Sequence, residues 1–173
     1  MFRLIPAAIG AALLACAVPA SAHVSLDTQE AAALAYQRIA IRVPHGCEGA
    51  PTTALRMQVP EGVTAVKPMP KPGWTLSLVA DPSKPGPGGH DEAPPVREVA
   101  WRAGPGHALP DAYYDEFVLR VRMPDAAGQT LWFPFVQECE GGKVSRWIER
   151  PGAGQGYNDV ARPAYPVRII PRQ

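Results

Sequence analysis

The chain has 173 residues, with 17 Lys and Arg against 16 Asp and Glu, so its formal charge near neutrality is +1. A balanced chain carries no electrostatic argument for nucleic acid or for an anionic membrane surface, and this length suits one domain with a proper core. Beyond the N-terminal segment no stretch approaches the roughly 20 apolar residues of a membrane helix, so no transmembrane anchor is expected.

The N-terminus reads Met1-Phe2-Arg3, an apolar run from Leu4 to Val18, then Pro19-Ala20-Ser21-Ala22. A positive start, a short apolar segment and an Ala-x-Ala ending form a secretory signal peptide, residues 1–22. Cleavage after Ala22 would leave 151 residues starting at His23, in a periplasm or outside the cell. Leu13-Leu14-Ala15-Cys16 loosely resembles a lipoprotein box, and a cut before Cys16 would leave His23 without a free amine. Ala20-Ser21-Ala22 is the better-formed site. A histidine at a free N-terminus offers its α-amine and its ring Nδ1 together. Nitrogen-rich tetragonal coordination of this kind suits Cu(II). The amine, with a pKa of about 8, gives up its proton to a metal at little cost near neutrality.

From there 21 prolines and 16 glycines punctuate short runs of period-two alternation, the signature of an all-β sandwich or barrel. The expected strands are Val24 to Leu26, Gln37 to Val43, Thr53 to Val59, Thr75 to Val79, Val96 to Trp101, Glu116 to Met123, Thr130 to Gln137 and Lys143 to Ile148. In the second, Ile39, Ile41 and Val43 face one way and Arg38 and Arg42 the other. Phe117, Leu119 and Val121 alternate likewise with Val118, Arg120 and Arg122. Val167 to Ile170 is a last extended piece that would pair at an edge. Alanine-rich Glu30 to Ala35 reads as one helical turn. Asp81 to Pro95 is a Pro/Gly-rich excursion, and residues 151–173 form a Pro/Gly-rich tail behind a single domain at 23–150.

Of three cysteines, Cys16 leaves with the signal, and Cys47 and Cys139 remain. Two cysteines in an exported chain point to one disulfide; the alternative is a pair of soft Cu(I) thiolate ligands, without CxxC spacing. No GxSxG, HExxH, P-loop or GxGxxG-helix pattern is present, and His23, His45, His90 and His107 show no metal-ligand spacing among themselves. Strand tryptophans usually pack, and turn acids are usually solvated, so Trp147 and Glu48 also have purely structural readings.

Several segments, in order, resemble the YcnI-like family of exported copper-binding domains. They are His23-Val24-Ser25-Leu26, Arg42-Val43-Pro44-His45-Gly46-Cys47-Glu48-Gly49 with Pro51-Thr52-Thr53, and Lys67-Pro68-Met69-Pro70-Lys71-Pro72-Gly73-Trp74. Leu109-Pro110-Asp111 through Phe117, Phe133-Pro134 through Cys139, and the strand with Trp147 complete the set. The match runs from His23 to about Glu149.

The resemblance implies an immunoglobulin- or fibronectin-like β-sandwich that binds one Cu(II). It implies His23 as the amine-and-ring ligand, a carboxylate carried over to Glu48 with His45 as a substitute, and Trp147 close by. It further implies a non-enzymatic role in copper storage, delivery or homeostasis, with a copper chaperone or membrane copper transporter as partner. Two rivals stand beside this reading. One is a copper-dependent oxidase or mono-oxygenase, for which His45 would be the nearby second histidine. The other is a metal-free interaction module.

Overall fold

The computed structural model describes residues 24–83 and 95–172; His23 and His90 lie outside the described residues. Among the described residues twelve strands follow in chain order: β1 (Ser25–Leu26), β2 (Glu30–Ala32), β3 (Tyr36–Val43), β4 (Thr52–Gln58), β5 (Thr64–Pro68), β6 (Trp74–Ala80), β7 (Val96–Ala103), β8 (Asp115–Arg122), β9 (Thr130–Phe133), β10 (Phe135–Cys139), β11 (Val144–Trp147) and β12 (Tyr165–Ile170). They form a four-stranded sheet β1-β3-β8-β5, a five-stranded sheet β11-β10-β4-β7-β6 and a three-stranded sheet β2-β12-β9. The fold is an all-β, immunoglobulin-like sandwich.

Alternation dictates the core. Ile39, Ile41 and Val43 of β3 and Phe117, Leu119 and Val121 of β8 turn to one side and are buried, as are Leu55 and Met57 of β4. Trp101 is wholly buried and meets Phe117 edge-on at 5.6 Å, while Trp74 meets the same ring at 4.9 Å. Such T-shaped contacts set the ring edge of one aromatic against the face of the next. The Trp101 indole N–H donates to the Met69 carbonyl at 3.2 Å, so this large ring is buried without an unmet donor.

Three local expectations change. Glu30 to Ala35 makes no helical turn: Glu30–Ala32 is β2, parallel to β12, and Leu34 at φ 60° ends it. Three residues gain more from a ladder with β12 than an isolated turn gains from alanine propensity. The run expected at Thr130 to Gln137 divides at Pro134. The first part pairs with β12, and the second with β4 and β11, because proline offers no ladder N–H. β5 escapes the sequence reading because prolines surround it; it is an edge strand with Ala65 at φ 49° and a register shift. Val167–Ile170 does pair, but centrally, between β2 and β9, with Val167 and Ile169 buried.

Candidate metal centre

β1 runs antiparallel to β3, with Ser25 opposite Arg42 and Leu26 opposite Ile41. The chain therefore enters the sandwich at the end where β3 passes into the 44–51 loop. Val24, the first described residue, is buried in the core cluster.

That loop is held from every side. Cys47 and Cys139 form a disulfide with Cα atoms 5.9 Å apart, so neither sulfur is a free thiolate and the Cu(I) alternative falls. Gln137 is buried on the inward face of β10. Its amide nitrogen donates to the His45 carbonyl and to the Thr52 hydroxyl, both at 2.7 Å. Asp111 accepts from the Gly46 N–H at 2.9 Å, and Thr52 and Leu109 exchange backbone bonds of 2.8 and 2.9 Å. Gly46 admits no side chain, since a Cβ there would lie 1.8 Å from the Ala50 carbonyl oxygen. At the tip, Cys47 and Ala50 exchange backbone bonds around Glu48 (φ 50°) and Gly49 (φ 80°). Two consecutive positive φ angles are those of a type I′ turn.

The candidate residues fall into place unevenly. Glu48 sits on this turn with its carboxylate 79% exposed and 3.9 Å from the Lys143 ammonium, which also donates to the Glu48 carbonyl at 2.9 Å. His45 holds Nδ1 2.5 Å from the Gly46 carbonyl oxygen. An imidazole nitrogen facing a carbonyl carries the proton, so the lone pair of the neutral ring lies on Nε2. Trp147 is buried in the same core cluster as Val24. It is four residues along β11 from Lys143, about 13 Å at the rise of a strand. The structure thus brings Glu48 beside the start of β11, as the disulfide requires. The Trp147 indole N–H is a donor only and cannot ligate.

Two other acids near this end are engaged. Asp115 pairs with Lys71 at 2.6 Å, and Glu116 accepts from the Tyr114 hydroxyl at 2.6 Å and faces Arg38 at 3.6 Å. The bond to Glu116, with desolvation and the nearby negative charge behind it, pushes the Tyr114 phenol above its ordinary pKa. Among the described residues no three His, Cys, Asp or Glu side chains gather in one place. Gln137 and Asp111, which hold the loop, were not singled out in the sequence. A visible signal for Gln137 was its inward position between Phe135 and Cys139.

Residues 23–169 match the family described as "Domain of unknown function (DUF1775)". The chain belongs to this family. This YcnI-like membership is supported by similarity to the "Copper-binding protein CutI" of Bacillus subtilis (strain 168), 29% identical over 144 residues, 83% of this chain. The chain spans 63% of that relative's length. A solved structure of an uncharacterized Nocardia farcinica protein with an immunoglobulin-like fold is also similar. It has a TM-score of 0.69 at 27% identity, covering 86% of this chain and 98% of that one. No helix among the described residues is long and apolar enough to cross a membrane.

Proposed function

We propose that this YcnI-like protein is exported and binds one Cu(II) per chain through the amine and ring Nδ1 of His23, once a leader is removed after Ala22. The observation that carries the reading is the family relationship itself: the match begins at residue 23, and a relative over most of the chain is a copper-binding protein. The fold adds support. Val24 is buried, and β1 behind it enters the sandwich where the 44–51 loop leaves β3. A loop fixed by a disulfide, a buried amide and a carboxylate is a rigid support for a further donor.

His45, through Nε2, and Glu48 are the side chains of that loop with donor atoms. Glu48 would have to leave Lys143, an exposed pair worth little. Trp147 serves as core packing and not as a ligand. Few donor side chains suit storage, delivery or buffering of copper in a periplasm or outside the cell, with transfer to a chaperone or membrane transporter. The role is binding and transfer, not catalysis.

The test is a Cu(II) titration of the recovered protein, with its N-terminus read by mass. One ion per chain is expected, with nitrogen hyperfine structure in the electron paramagnetic resonance spectrum. Acetylating the α-amine of His23 should abolish tight binding, because it removes one of the two chelating nitrogens. Equal binding by the acetylated chain refutes the N-terminal chelate.

A further inference from the structure

The five-stranded sheet ends in β6, and the outer side of β6 pairs with no strand among the described residues. The register with β7 sets which backbone groups face outward. Trp74 lies opposite Ala103, and the Gly104 N–H donates to the Gly73 carbonyl at 2.8 Å. Hydrogen-bonding residues alternate in an antiparallel pair, so Thr75, Ser77 and Val79 bond to β7. Leu76 and Leu78 direct their N–H and C=O groups away from it.

An edge of this kind is ordinarily blunted by shortness, charge, proline or a bulge. The other outer strands use these devices. β1 has two residues and β2 three. β9 and β11 have four each, β11 with Arg146. β5 combines Lys67, Pro68 and a register shift. β6 uses none of them over its regular part: Trp-Thr-Leu-Ser-Leu-Val-Ala is seven residues without charge or proline, and its register shifts only at Val79/Ala80. Leu78, on the face continuous with the core, is 48% exposed.

We propose that β6 is the docking edge for a second copy of this chain, paired antiparallel about Ser77 with Leu76 of each copy opposite Leu78 of the other. The segment is complementary to itself in this register. Leu76 and Leu78, whose backbone groups point outward, become the hydrogen-bonded pairs, giving four new bonds around the two-fold axis. Leu78 is covered by Leu76 of the other copy on the core-facing side. Ser77 meets Ser77, and Thr75 meets Val79, on the outer side. No like charges oppose one another, and the two five-stranded sheets join into one. An isologous contact closes on itself, so the product is a dimer and not a filament. This arrangement leaves the 44–51 loop of each copy uninvolved.

Two measurements on the full chain, expressed with its own N-terminal segment and purified as recovered, test this. The first is sedimentation equilibrium from 5 to 500 μM, read with hydrogen exchange. A monomer–dimer equilibrium is expected, with exchange at Leu76 and Leu78 slowing at least fivefold at the high concentration. Ser77→Lys, which sets two ammonium groups face to face at the axis, should shift the equilibrium at least tenfold toward monomer while leaving the circular dichroism unchanged. The second is mild oxidation of Ser77→Cys and, separately, Thr75→Cys. Directly opposed Cα atoms in a non-hydrogen-bonded pair are about 4.5 Å apart, within disulfide range, so Ser77→Cys should cross-link between copies. Position 75 lies four residues out of register with itself and should not. A chain that stays monomeric to 500 μM, or equal cross-linking at 75 and 77, overturns the proposal.

Discussion

Replacing Cys47 and Cys139 together by alanine removes the one covalent tie between the 44–51 loop and the far end of β10. The two residues are 92 apart in sequence. The chain-entropy account assigns a closed loop of that size about 4.6 kcal/mol at 25 °C. Both residues are buried, so the variant also loses two sulfur atoms' worth of packing, and alanine avoids burying a hydroxyl in their place. Residual structure in the unfolded chain works the other way, which makes a loss of about 3–4 kcal/mol the expected value. Against a typical total of about 5–15 kcal/mol this is a large fraction. Urea unfolding of wild type and variant, with the slope and the midpoint both fitted, reads it directly, and a steeper slope is expected where the cross-link no longer keeps the unfolded chain compact. Gln137 and Asp111 still hold His45 and Gly46 in the variant, so it should fold to the same spectrum at low urea. A loss below about 1 kcal/mol would show that the cross-link does not constrain the unfolded chain, and would refute the entropy argument.

Two smaller perturbations probe the same region. Gly46→Ala should cost about 1–3 kcal/mol in the same urea assay, because the added Cβ must displace the Ala50 carbonyl that closes the turn. Gly49, with open space around its Cα, is the comparison site, limited to the cost of its positive φ. The Tyr114 phenol is raised chiefly by its hydrogen bond to Glu116, and burial raises that of Tyr157. A phenol raised on folding favours the native state up to the ordinary tyrosine value near 10 and loses that contribution as pH climbs through the folded value. Stability should therefore decline above about pH 10. Absorbance titration of phenolate should show Glu116→Gln moving one tyrosine back toward its ordinary value.

The apolar faces of β3 and β8 were legible in the chain because they depend on a local rule. Side chains alternate along a strand, so Ile39, Ile41 and Val43, or Phe117, Leu119 and Val121, declare their shared face wherever the strand is placed. The family resemblance was legible for a related reason: it rests on short stretches such as His45-Gly46-Cys47, where Gly46 leaves no room for a Cβ beside the Ala50 carbonyl. The pairing of the two cysteines left after residue 22 was expected from their number, and the Cys47–Cys139 bridge is present.

Partnership between distant segments was not legible. Whether Glu30–Ala32 coils or pairs depends on β12, some 135 residues further on, and the division at Pro134 depends on which strands wait on either side of it. The site shows the same limit. Glu48 and Trp147 both adjoin the cross-linked hairpin in sequence terms, but the antiparallel register sets one at the open start of β11 and the other inside the core. Composition and periodicity determined that this chain makes two-faced strands in an all-β sandwich or barrel. The long-range pairing decided which loops, edges and donors share an end of it, because contact energy depends on neighbours in space and local sequence constrains only neighbours along the chain.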